Sequence, residues 1–225
     1  MQGRRTFHEQ LAEAERLVVE TAGIVLRQID GALKALMARD KALADEVIAG
    51  DDAVDEKYMQ IEQRVLTLLA TQAPVASDLR LVSAVLHINI HLERMADLCT
   101  NVGKFVKLAP TGPYSEDIVR EIIEMGRQGA RMLETAVEAF AERNLEKALS
   151  LQQMDETIDR LNRSLFKKVA RQFIGREEEV EWGSRMVLVS RQLERLGDHA
   201  VDIAEQVAFM ITGEFREFTD DMVES

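Results

Sequence analysis

The chain is 225 residues long, 46% hydrophobic and 30% charged, with a formal net charge of −12. That is enough apolar material for a sizeable core, and so acidic a chain is poorly suited to nonspecific nucleic-acid binding, which sets Lys and Arg against phosphates. A single cysteine, Cys99, excludes an internal disulfide framework and a cysteine-based zinc site, and no apolar run reaches the roughly 18 residues that a membrane-spanning helix needs.

Three prolines and 5% aromatic residues favour long helices over strands. The first ten residues are polar and lack the apolar stretch of a secretory signal, so a cytoplasmic protein is expected. Thr6 with Glu9 has the pattern of a capping box for a first helix. Leu11, Leu17, Val18, Val25, Ile29, Leu33 and Leu36 then recur at helical spacing to about Met37. Asp40 suits the cap of a second helix carrying Leu43, Val47, Val54, Ile61, Val65, Leu68 and Leu69. Gly50 falls inside it, at a cost of about 1 kcal/mol. Pro74 ends that pattern, and a third helix is predicted from Leu79 to about Leu108. Ala109-Pro110-Thr111-Gly112-Pro113 is the one linker, close to the middle of the chain.

The second half repeats the plan. Ser115 suits the cap of a helix with Ile118, Ile122, Met125, Leu133, Val137 and Phe140. Asn144 suits the next, with Leu149, Ile158, Leu161, Leu165, Val169 and Phe173, closed by Gly175 in the left-handed region. The last helix is predicted from about Glu178 to Thr212 and stops at Gly213. The tail Glu214–Ser225 is acidic and expected to fray. Long helices on short loops favour antiparallel neighbours. The prediction is therefore all-α, with two pseudo-symmetric three-helix bundles at residues 1–109 and 114–213 and an acidic tail at 214–225.

One phrase occurs twice. Leu92-Glu93-Arg94-Met95-Ala96-Asp97 returns as Leu193-Glu194-Arg195-Leu196-Gly197-Asp198, about 100 residues later. Each copy continues with a polar residue four positions on, Asn101 and Asp202. Four-residue steps advance about 400° on a helix, so each set forms a slowly drifting stripe. Leu92, Met95, Cys99, Val102 and Val106 mark the apolar stripe of the first copy. Leu193, Leu196, Ala200, Ile203 and Val207 mark the second, and Cys99 reads as a small core residue. The acidic rows lie beside and opposite these stripes, so the carboxylates are expected to look outward.

The middle helices add a second pair of rows, because Asp51 and Asp55 align with Asp155 and Asp159. If the helices are neighbours, each half gathers four carboxylates at one seam. Clustered carboxylates bind hard or borderline cations, and bridging Asp and Glu can share several. The candidate ligands are Glu93, Asp97, Asn101, Asp51 and Asp55 in the first half. In the second they are Glu194, Asp198, Asp202, Asp155 and Asp159. Asn101 offers a weaker amide oxygen, so the two halves would load differently. The competing reading is a solvated acidic face, with Arg94 and Arg195 pairing to nearby acids at little gain.

Other chemistries find less support. A ferritin-like di-iron bundle wants Glu-x-x-His, and none of the four histidines, His8, His87, His91 and His199, has Glu three residues before it. His87 and His91 share a face, but no HExxH pattern surrounds them. His199, after Asp198, is a candidate extra ligand or supporting contact. No P-loop, dinucleotide fingerprint or nucleophile elbow occurs, so no catalytic constellation is found and no enzyme is predicted.

On the duplicated signature the chain resembles the PhoU family, and the likeness runs through both halves. Ala76-Ser77-Asp78-Leu79-Arg80 after Pro74, and Gly197-Asp198-His199, fit the same pattern. The resemblance implies two similar three-helix bundles, each with an E/D-xxx-D metal motif, here Glu93 with Asp97 and Glu194 with Asp198. It implies multinuclear iron or other metal clusters, zinc included, in some members. It also implies a negative regulator of phosphate uptake and of the phosphate-starvation response. Such a regulator links the ATPase of the phosphate ABC transporter to a sensor histidine kinase, placing it at the inner membrane through partners. A carboxylate-cluster storage or redox protein is the alternative from another class, and a purely structural helical module is the third. Phe7, Phe209, Phe215 and Phe218 suggest apolar surface for a homodimer.

Overall fold

In a computed structural model the described residues are 2–109, 114–173, 177–215 and 217–218, and among them every regular element is an α-helix. They are α1 (Gln2–Ala38), α2 (Lys41–Ala49), α3 (Asp51–Thr71), α4 (Ser77–Leu108), α5 (Glu116–Glu142), α6 (Leu145–Phe173) and α7 (Glu177–Thr212). This is the six-helix layout expected, with the second helix divided at Gly50. Gly50 keeps near-helical dihedrals (φ −68°, ψ −14°), so the chain passes from α2 into α3 with no loop between.

Two of the predicted caps form, and they match. Asp40 accepts the N–H groups of Ala42 and Leu43 at 2.8 and 3.2 Å. Asn144 accepts that of Lys147 at 3.1 Å. Each follows an arginine in the left-handed region, Arg39 at φ 54° and Arg143 at φ 56°. The same turn is thus built twice. Other ends differ from the reading. α1 begins at Gln2, so Thr6 lies inside it and is no cap; Gln2, Arg4 and Arg5 are good helix formers and extend the helix past it. Ser115 stands at the start of α5, but its hydroxyl donates to Gln172 Oε1 at 3.4 Å. Gly175 lies outside the described residues. Gly213 ends α7 at φ 78°, a conformation that suits glycine.

The apolar stripes of α4 and α7 are buried along their length, from Leu92 to Val106 and from Leu193 to Val207. Each such large side chain contributes about 1.5–3 kcal/mol when fully buried. α4 packs on α1, α2 and α3, α7 packs on α5 and α6, and α1 also packs on α5. α4 and α7 run antiparallel against each other, Asn101 beside Gln192 and His91 beside Asp202. One continuous core results. Leu69 and Leu149, read as core, are exposed because no neighbouring helix covers those flanks.

The aromatic residues read as a dimer surface are mostly used within the chain. Phe7 is buried, Phe209 stacks near Phe215 with ring centres 4.4 Å apart, and Phe218 packs against the core. Phe215 stays exposed. At Phe218 the chain lies against α7, its N–H donating to Glu205 at 2.7 Å; residues 216 and 219–225 of the tail expected to fray lie outside the described residues. Among the described residues no helix is long and apolar enough to cross a membrane.

Candidate functional site

α3 lies against α4, and α6 lies against α7. The first contact brings Asp51 and Asp55 to Glu93 and Asp97. The second brings Asp155 and Asp159 to Glu194 and Asp198. In each seam the carboxylates feel one another. Burial raises Asp51 above the usual carboxylate range, the charges of Asp55 and Asp97 raise it further, and Lys104 and the Thr100 hydroxyl draw it back. Burial raises Glu93 as well, with Asp97 adding and Arg94 opposing.

The second seam is the more strained. Asp155 is pushed up to about 7, by burial first and then by Asp198, Asp159 and Glu194. Glu194 is raised by burial and Asp198, against Arg191. Asp198 is raised by burial, with Arg191 opposing and Asp159 adding. Asp155 Oδ1 and Glu194 Oε2 are buried without a hydrogen-bond partner. A buried acceptor left unpaired costs about 1–3 kcal/mol, more when charged, so these two oxygens suit a cation.

The rows face outward only in part. Asp55 and Asp198 are exposed and the Asp97 side chain keeps 46% of its surface, whereas Glu194 is only 8% exposed, because α6 covers the flank that a single helical wheel leaves open. Ion pairing is partial. Arg94 reaches Glu93 and Asp97 at 3.4 Å each, Arg163 reaches Asp159 at 3.1 Å, and Arg191 takes the other oxygen of Glu194. Arg191, a turn earlier than the signature arginine, is the guanidinium on Glu194.

Asn101 and Asp202 leave the seams. Three row positions drift by about 80° in all, which turns the third towards the α4–α7 contact. There Asn101 Nδ2 donates to Gln192 Oε1 at 3.3 Å, and Asp202 Oδ2 lies 3.3 Å from Nδ1 of both His91 and His199. His87 does not join His91, since its Nδ1 lies 2.8 Å from the Ser83 carbonyl of its own helix. Cys99 is buried, which pushes its thiol up and leaves it inert. Asp202 and His199 were each read as candidate ligands, but their meeting with His91 escaped the sequence reading, because the three lie on two helices and only the antiparallel register joins them.

Oxygen donors from two helices, raised towards protonation and partly unpaired, are the donor set that hard cations take. The seams are nonetheless open. Among the described residues one set of three His, Cys, Asp or Glu ligand atoms lies within 4.8 Å of one another, and it is His91, His199 and Asp202.

The sequence matches the PhoU domain over residues 18–106 and 122–207, one stretch in each half. A phosphate-specific transport system accessory protein PhoU homologue of Caulobacter vibrioides is 30% identical over 210 residues, 93% of this chain and 91% of its own length. The crystal structure of PhoU from Pseudomonas aeruginosa matches with a TM-score of 0.88 at 29% identity, covering 92% of this chain and 100% of that one. That of the phosphate transport system regulatory protein PhoU from Streptococcus pneumoniae matches with a TM-score of 0.86 at 30% identity, covering 93% and 99%.

Proposed function

The chain belongs to the PhoU family, and from that premise we propose that it is an accessory protein of a phosphate-specific transport system that restrains phosphate uptake and starvation signalling. It acts as an adaptor between the ATPase of the phosphate transporter and a sensor histidine kinase. The observation that carries the reading is the family match across both halves. An exposed apolar groove of about 450 Å³ between α6 and α7, lined by Phe166, Val169, Val180, Val187 and Leu188, is surface of the kind a protein partner covers.

The acidic seams belong to the same reading as cation sites. Asp51, Asp55, Glu93 and Asp97 would hold metal in the first half, and Asp155, Asp159, Glu194 and Asp198 in the second. The metal would supply positive charge that offsets carboxylate repulsion and stiffens the seam. Arg94 and Arg191 hold part of that charge balance without it.

Two measurements test the proposal. Pull-downs from cells grown at high and low phosphate are expected to recover the transporter ATPase and the kinase, and a Phe166→Ser/Leu188→Ser variant to recover less at unchanged stability. Recovery of neither partner under both conditions would sink the adaptor reading. Elemental analysis of untagged protein purified without chelator is expected to find metal that an Asp97→Ala/Asp198→Ala variant lacks. Equal metal in both would remove the seams from consideration. Iron-dependent oxidase activity of the purified protein would favour the storage or redox alternative.

A further inference from the structure

Away from the acidic seams, the antiparallel contact of α4 and α7 joins three side chains from the two halves. His91 Nδ1 and His199 Nδ1 are 3.2 Å apart, and Asp202 Oδ2 lies 3.3 Å from each. The imidazoles are sheltered, with side chains 19% and 16% exposed, while Asp202 is 43% exposed and reaches water.

Protons satisfy this triangle only in part. If both Nδ1 atoms carry hydrogen, both donate to Asp202 but two N–H groups confront each other at 3.2 Å. If only one carries hydrogen, it donates to the other ring nitrogen or to Asp202, and the remaining ring lone pair still faces a carboxylate lone pair at 3.3 Å. A cation accepts all three lone pairs at once. The dimensions agree with one. Metal–ligand bonds of about 2.0 Å arranged tetrahedrally set the ligand atoms about 3.3 Å apart, against about 2.8 Å for an octahedron. The observed edges of 3.2, 3.3 and 3.3 Å outline one face of a tetrahedron.

The duplicated fold supplies an internal comparison. The offset of 101 residues that carries Glu93 to Glu194 carries His91 to Gln192, Asn101 to Asp202 and Leu98 to His199. At the far end of the α4–α7 seam the equivalent pair meets, Asn101 donating to Gln192 at 3.3 Å. A neutral amide pair beside a leucine is therefore all that the packing of these helices requires. At the near end all three places hold metal-ligating side chains instead.

We propose that His91, His199 and Asp202 form a binding site for one borderline divalent cation of the Zn²⁺ class, with a fourth position open to water or an added ligand. The ion ties α4 to α7, and so the first half to the second. The site is separate from the acidic seams and does not depend on the regulatory reading.

The test uses Co²⁺ on the full-length protein after chelator stripping. Tetrahedral Co²⁺ absorbs strongly in the visible, whereas Co²⁺ in an oxygen-rich octahedral seam absorbs weakly. The variants compared are His91→Gln/His199→Leu, Asp202→Asn and, as the seam control, Asp155→Asn/Asp198→Asn. The first two import residues that already fill the equivalent places at the far end. The wild type and the seam control are expected to develop the intense band with one equivalent of Co²⁺ and to lose it to one equivalent of Zn²⁺. The His91→Gln/His199→Leu variant is expected to lose the band. Asp202→Asn is expected to bind Co²⁺ at least about tenfold more weakly. No intense band in the wild type, or a band that survives the histidine variant, overturns the proposal. If the histidine variant does not fold, Asp202→Asn decides: weakened binding in a folded protein supports the site, and unchanged binding overturns it.

Discussion

Asp51 and Asp155 hold equivalent places in the two halves, facing Glu93 and Asp97 in one and Glu194 and Asp198 in the other. Burial and neighbouring carboxylates raise both, yet it is Asp155 that is pushed up to about 7. The surroundings differ in ways that each favour the charge on Asp51. Thr100 and Lys104, which draw Asp51 down, become Val201 and Glu205 in the second half. Ala96 becomes Gly197, and a Cβ there would stand 2.7 Å from Asp155 Oδ1. The missing methyl is what admits Asp155 so far into the seam. The duplicated motif decides which carboxylates meet, and the residues around it decide how comfortably they carry charge.

The largest expected effect tests whether the halves are equivalent at all. Met95 and Leu196 are fully buried at matching positions. Met95→Ala and Leu196→Ala should each cost about 2–5 kcal/mol, some 2–4 °C of melting temperature per kcal/mol in a chain of this size. Urea unfolding curves that separate the two by more than about 2 kcal/mol would break the equivalence at the core itself.

Metal should then sharpen the difference. A divalent cation at a hundred times its dissociation constant protects the stripped protein by about 2.7 kcal/mol. Asp155→Asn/Asp198→Asn is expected to lose most of that protection and Asp51→Asn to keep most of it, read as melting shifts with and without Mn²⁺. Equal losses would mean that the two seams bind alike.

Without metal, the raised Asp155 works against the fold. Its carboxyl is protonated in the folded protein up to about pH 7 but ionises near 3.8 when unfolded, so the folded state holds more protons between those values. Stability contributed by this group is present below about pH 4, declines as pH rises to about 7, and then levels off. Because the group is partly solvated, Asp155→Asn should gain only about 1–2 kcal/mol near pH 7.5. The variant should also flatten the decline, which urea titrations at several pH values would read. Asp51→Asn should gain less. A larger gain at Asp51 would reverse the assignment of strain.

The smallest effect concerns the matched caps. Asp40→Ala and Asn144→Ala should each cost about 1 kcal/mol, with Asp40 the dearer because it accepts two N–H groups against one. Thermal melts of the two variants check the order.

Much of the fold was legible because helices are written locally. The stripes from Leu92 to Val106 and from Leu193 to Val207, the caps at Asp40 and Asn144, and the stops at Pro74 and Gly213 all follow from spacing of about 3.6 residues and from the chemistry of chain ends. Leu69 and Leu149 misled because periodicity names an apolar flank without saying whether another helix covers it. The candidate seams were half legible. The repeat pointed to Asp51, Asp55, Glu93 and Asp97 and to their counterparts, whereas Asn101 and Asp202 followed the drift of their helices into a different contact.

By itself the sequence determined the helices, their turns and the family, since these rest on neighbours within a few turns and on a motif repeated in both halves. The tertiary structure alone decided that Glu194 is covered by α6, that Gly197 makes room for Asp155, and that His91 meets His199 and Asp202. Those outcomes depend on the register at which packed helices interdigitate. That register is set by side chains far apart in the chain, and no single helical wheel contains it.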